Sequence, residues 1–153
     1  MIIAGIDPGA NGAIAIIDSN HNVFMVADMP KDDKTFVDII KNNRYHPDKI
    51  YMENVHALPK QSTVAGFTFG KNVGKAELLA ESMGEVVLVY PSKWKLFMNL
   101  ERQKDESKTD YKHRSVYMAK EMFPECTECL KISKDGRAEA LLIAAYGVAI
   151  EEK

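Results

Sequence analysis

Apolar residues in the first third of the chain come in short runs, each closed by turn-forming or acidic residues. Residues 2–7, IIAGID, carry no polar side chain before Asp7 and predict a buried strand. AIAIID (13–18) predicts a second strand and VFMVADM (23–29) a third, with the turn residues Ser19-Asn20-His21-Asn22 between them. The three read as an antiparallel meander. DDKTFVDIIKNN (32–43) begins with acids and sets Phe36, Ile39 and Ile40 at helical spacing, and KIYMENV (49–55) predicts a fourth strand.

A helix is expected over 61–83, with Val73, Leu78 and Leu79 among its apolar positions and Gly84 as its stop. VVLVY (86–90) is a fifth strand, and Pro91-Ser92 begins a short helix carrying Trp94, Leu96 and Phe97. LERQKDESKTD (100–110) is polar and expected to be mobile. YKHRSVYMAKEMF (111–123) is an amphipathic helix ended by Pro124, and residues 136–152 form a closing helix dominated by Ala and Leu. This order predicts an α/β fold: a five-stranded mixed sheet, three antiparallel strands and then parallel ones, flanked by helices on both faces.

The 153 residues suit a single domain, 1–153, with no repeat or linker. No apolar run approaches the roughly 18 residues of a membrane span, and no basic region precedes the apolar N-terminus, so an intracellular protein without membrane association is expected. Cys126 and Cys129 lack the second pair that a zinc ribbon needs, and they follow a helix and a proline rather than a strand; they read as ordinary thiols. The net charge of −2 is unevenly spread: eight basic residues stand against four acidic ones between Lys93 and Lys120. A basic segment on an acidic body fits a polyanion-binding protein with an acidic metal site.

Four acids stand out by position. Asp7 ends the first strand and Glu53 lies at the end of the fourth, flanked by a run that looks interior; Asp135 and Glu139 are i and i+4 across one turn of the last helix. If the first and fourth strands are neighbours, Asp7 and Glu53 meet at one edge. Each acid also has a plainer reading: Asp7 as a turn residue before Pro8-Gly9, Asp135 as a helix cap, Glu139 as a surface glutamate. Together, converging carboxylates repel one another unless cations join them. With Mg²⁺ or Mn²⁺ the cluster becomes a two-ion site, the ions about 4 Å apart, suited to phosphodiester hydrolysis.

GIDPGANGAIAIID, YMENVHALP and KDGRAEALLIAAYG together resemble the catalytic segments of RuvC-type Holliday-junction resolvases, in particular the small phage-type branch, within the ribonuclease H-like superfamily. The resemblance runs from residue 2 to about residue 149. It implies that Asp7, Glu53, Asp135 and Glu139 bind two Mg²⁺ ions, Mn²⁺ serving also, and that the chain is a homodimeric crossover junction endodeoxyribonuclease. Such an enzyme makes paired symmetric cuts in four-way or branched DNA, leaving 5′-phosphate and 3′-hydroxyl ends. The family often carries an Asp pair at shorter spacing in the last helix; here the second acid is Glu139, at i+4. If phage-encoded, the protein would act in the bacterial host cytoplasm.

Lys93, Lys95, Lys108 and Lys112 are candidates for phosphate contacts. By the same resemblance Lys95 and Lys108 lie near the cleavage site, and Lys108 is counted with the catalytic residues. His56 falls where the family often places an aromatic that stacks on an unpaired base. Phe67 and Phe69 read either as core or as a wedge that opens the junction, and Lys60, Lys71 and Lys75 around them are possible backbone contacts. Gly66, Gly70 and Gly74 form a stripe at i, i+4, i+8 that calls for close helix–helix approach. That approach is either a two-fold interface, as in family members, or a crossing within one subunit. The alternatives are a broader ribonuclease H-like nuclease acting on branched DNA, flaps or hybrid duplexes, and a non-cleaving junction-binding protein. The acid–glycine hairpin also opens sugar-kinase and actin-like ATPases, but those need two such domains to form their cleft.

Overall fold

In the computed structural model, which describes residues 1–9, 11–42, 44–57 and 61–153, the predicted strands and helices are present in the predicted order. The strands are β1 (Ile2–Asp7), β2 (Ala13–Asp18), β3 (Val23–Asp28), β4 (Lys49–Glu53) and β5 (Glu85–Val89). The helices are α1 (Asp33–Asn42), α2 (Thr63–Met83), α3 (Pro91–Phe97), α4 (Lys108–Met122) and α5 (Gly136–Glu151). The sheet order is β3-β2-β1-β4-β5: β1–β2 and β2–β3 are antiparallel, β1–β4 and β4–β5 parallel. Among the described residues no helix is long and apolar enough to cross a membrane.

Strand alternation divides the core into two layers. Ala4, Ile6, Ile14, Ile16, Ile50 and Met52 pack under α1 and α2 with Phe36, Leu79 and Met83. Ile3, Ala15, Ile17, Tyr51 and Val89 face the opposite side, against α5, Trp94 and Phe123. The small residues of α5 have a packing role beyond helix propensity. A Cβ at Gly5 would lie 2.1 Å from the Ala140 carbonyl oxygen and 2.5 Å from the Ala144 nitrogen, so helix and strand are in backbone contact. Both ends of α5 are also tied down. Asp28 on β3 accepts from Arg137 Nε at 2.5 Å and from Lys134 Nζ at 2.6 Å. At the far end Glu151 accepts from Lys49 Nζ at 2.9 Å and from the Tyr51 hydroxyl at 2.6 Å.

Most element ends fall within two residues of expectation; the larger differences lie around the start of α4. Helix α4 begins at Lys108 rather than at residue 111, because Ser107 caps it: the Ser107 hydroxyl oxygen accepts from the Asp110 N–H at 3.1 Å. The polar stretch expected to be mobile is bracketed by Arg114, which donates to the carbonyl of Glu101 at 2.6 Å and to the Glu106 carboxylate at 2.6 and 3.1 Å. Cys126 and Cys129 are free thiols, and burial, then the neighbouring Cys129, pushes the Cys126 thiol up to about 11.

Replacing Gly5 by Ala should push α5 off the sheet and cost about 3 kcal/mol or more in urea unfolding, because the new methyl meets backbone that cannot swing aside. A loss below about 1 kcal/mol would show that the helix is free to slide.

Candidate active site

Two acids come from the sheet. Ile6 pairs with Met52, so the next residue on each strand, Asp7 and Glu53, ends its strand beside the other. Ile6 and Met52 face α1 and α2; by alternation Asp7 and Glu53 point to the α5 side. Asp7 is both turn residue and site residue: its Oδ1 accepts from the Gly9 N–H at 3.2 Å. Gly12 closes that turn, donating to the Gly9 carbonyl at 2.8 Å, and a Cβ there would lie 2.0 Å from the Asp7 carbonyl oxygen.

The other two acids come from the start of α5. A Cβ at Gly136 would fall 2.3 Å from the Asn11 carbonyl and 3.1 Å from Asp7 Oδ2, so the first turn of the helix is seated against Asp7. Asp135 makes no side-chain cap for α5; its Oδ2 stands 2.8 Å from Lys112 Nζ. Glu139, whose N–H donates to the Asp135 carbonyl at 3.0 Å, faces Lys95 Nζ at 3.4 Å. It is an interior rather than a surface glutamate. Glu53 is 7% exposed and accepts from the Trp94 indole N–H at 2.9 Å.

Electrostatics follow from this crowding. Asp7 is pushed up to about 7, by burial first and then by the fields of Glu139 and Glu53. Glu139 is raised by burial, with Glu53 and Asp135 adding and Lys95 opposing. Burial works against the charge on Lys95, yet Glu139 and Glu53 hold its pKa above the ordinary lysine value. Lys112 is raised by its bond to Asp135.

Among the described residues no three acidic, histidine or cysteine side chains stand close enough together to hold a metal ion as they are placed. Two of the four acids are instead neutralised by ammonium groups, which shows where positive charge is wanted. The donor set is all oxygen, from two strand ends and one helix, and suits hard cations such as Mg²⁺ or Mn²⁺.

The remaining sequence candidates are dispersed. Lys93 is exposed on α3, and His56 is exposed three residues beyond Glu53. Lys108 is exposed at the start of α4, one turn before Lys112 and so on its face of the helix. Phe67, Phe69, Lys71 and Lys75 belong to α2, which packs on the sheet face opposite α5. Phe67 is 75% exposed and Phe69 half-buried, while Lys75 is taken up by an ion pair with Asp33. Lys60 lies outside the described residues.

Sequence reading missed two supports of this region: Trp94, which donates to Glu53, and Asp28, which accepts from Arg137 and Lys134 at the start of α5.

A five-stranded mixed sheet in this order, with helices on both faces, is the ribonuclease H-like fold. Within that class the chain is similar to Thermus thermophilus RuvC, in one solved structure of RuvC in complex with a Holliday junction substrate and in another of RuvC itself. The TM-scores are 0.65 and 0.59; in both cases identity is 15%, with 99% of this chain and 96% of the other covered. No protein-family model and no curated protein matches the sequence.

The raised pKa of Asp7 makes a stability prediction. Its carboxyl goes from 3.8 to about 7 on folding, so the native chain holds a proton that the unfolded chain releases. Metal-free stability from this group therefore falls as pH rises from about 4 to 7. Asp7→Asn should be more stable than the parent by about 1–3 kcal/mol at pH 8, the gain shrinking toward zero near pH 4, in thermal melts with EDTA. Identical pH profiles for the two proteins would contradict the burial of this charge.

Proposed function

We propose that this chain is a metal-dependent, structure-specific DNA endonuclease that resolves four-way junctions, a RuvC-like enzyme of the small phage-type branch acting as a homodimer. One observation carries the reading: Glu53, Glu139 and Asp135, from β4 and the start of α5, all lie near enough to Asp7 of β1 to raise its proton affinity, with Lys95 and Lys112 paired to Glu139 and Asp135. The fold shared with a RuvC solved in complex with a Holliday junction substrate supports it.

In this reading Asp7, Glu53, Asp135 and Glu139 hold Mg²⁺ or Mn²⁺, two ions per site. The ions supply an activated water and neutralise charge on the phosphate. The water oxygen bonds to phosphorus as the P–O3′ bond breaks. O3′ leaves as a hydroxyl once protonated, and the phosphate stays on the 5′ end. With Glu139 and Asp135 engaged by cations, Lys95 and Lys112 would be free to meet phosphate oxygens and to stabilise the charge that develops there. Lys108 and Lys93 extend the same positive margin along the strand and position it. His56, just beyond Glu53, is the residue to meet an unpaired base.

The homodimer is supported by α2 and β5. Beyond Gly66, Gly70 and Gly74 nothing lies within 4 Å of where a Cβ would stand. Leu78 and Leu88 flank this open face at 63% and 52% exposure. A two-fold pairing there would present two sites to symmetry-related strands.

The test is cleavage of a synthetic mobile junction beside Y-forks and linear duplex. Paired symmetric nicks that require Mg²⁺ or Mn²⁺ are expected. Asp7→Asn and Glu53→Gln should lower the rate at least 1,000-fold while junction binding persists, and substantial activity in either would sink the assignment. Broad nicking would favour a general branched-DNA or hybrid nuclease; binding without cutting, a junction-binding protein. For the dimer, Gly70→Ala should weaken self-association in sedimentation. If α2 is solvated in solution, the same change would leave association unaltered and add about 1 kcal/mol of stability.

A further inference from the structure

Trp94 is the chain's sole tryptophan, wholly buried on α3, and its ring N–H needs an acceptor there. It takes Oε1 of Glu53, a carboxylate 41 residues away, at 2.9 Å. A carbonyl or amide would satisfy an indole at far lower desolvation cost than a buried carboxylate. The arrangement therefore makes sense as service to Glu53 rather than to Trp94. Among the described residues no hydrogen bond to the second oxygen of Glu53 is present.

The next residue completes the pattern. Lys95 stands with its Nζ 4.8 Å from the centre of the Trp94 ring and 5.4 Å from that of Tyr111, and it contacts Glu139 at 3.4 Å. Two successive residues of one short helix thus reach acids on two different elements, β4 and α5.

We propose that Trp94 is the positioning residue of the acid cluster: its indole N–H holds one oxygen of Glu53, fixes the plane of the carboxylate, and leaves the other oxygen as the atom offered to a divalent cation. The inference rests on the reading of the four acids as a cation site. A carboxylate free to rotate must be ordered when the cation arrives; one already fixed need not be. Because the ring lies one hydrogen bond from a ligand, its emission also reports occupancy of the site.

The experiment titrates Mn²⁺ into the full chain by calorimetry and by tryptophan fluorescence. In the parent, saturable quenching should share its midpoint with the calorimetric curve. Trp94→Phe keeps an aromatic ring and loses the donor. Replacing Trp94 with β-(3-benzothienyl)alanine keeps the shape of the indole and also loses the donor, so it remains informative if the Phe variant folds poorly. Both should bind Mn²⁺ roughly 10-fold more weakly, with junction binding in EDTA unchanged. Parent-like affinity in the benzothienyl protein would overturn the positioning role and leave the cation site standing. Absence of Mn²⁺ binding by the parent would overturn the cation site, and this inference with it.

Discussion

Carboxylates gathered at one end of a sheet and largely buried repel, and the rest of this molecule is arranged to keep them there. The crowding is visible in Asp7, whose carboxyl is pushed up to about 7 on folding, by burial first and then by the fields of Glu139 and Glu53. It is borne by the contact between α5 and the sheet. That helix brings two of the acids, and it is seated by backbone contact at Gly5 and Gly136 rather than by side chains that could yield. Ion pairs to Asp28 and Glu151 fix it at both ends. Local charge in the cleft is offset by lysines from α3 and α4, so every element on that face has a stake in four acidic side chains.

The opposite face has the other task. There α1 and α2 close a conventional apolar layer, and the outer side of α2 is left with glycines and uncovered leucine. One face of the sheet thus gathers the charged groups and the other offers a surface. The basic segment seen in the sequence belongs to the first: Lys95 and Lys112 stand at the acids, Lys93 and Lys108 close to them in the chain.

Much of this was legible in the residues because local pattern and global fold agree. The apolar runs of β1, β2 and β4 specify interior strands, and an acid terminating such a run has few plain explanations. The order of strands was enough to bring Asp7 and Glu53 to one end of the sheet. What stayed hidden depended on partners far along the chain. Trp94 reads as core from its type alone; nothing nearby says that its N–H meets Glu53. The stretch around Glu106 reads as mobile because it is polar, yet Arg114 brackets it from α4. The true start of α4 was written locally, in Ser107-Lys108-Thr109-Asp110, and was outweighed by the polarity around it. The alanines of α5 were credited to helix propensity when close approach is their larger role.

The two-point anchoring of α5 has a consequence for how the cleft tolerates change. Sixteen residues of unbroken helix span about 24 Å and behave as a stiff rod. A rod clamped at both ends transmits tilt, so the latch that Lys49 and the Tyr51 hydroxyl make with Glu151, at the other end of α5 from the acids, helps set the spacing between Glu139 and Glu53. Alterations at that remote latch would be felt as misalignment in the cleft, with no atom of the cleft itself replaced.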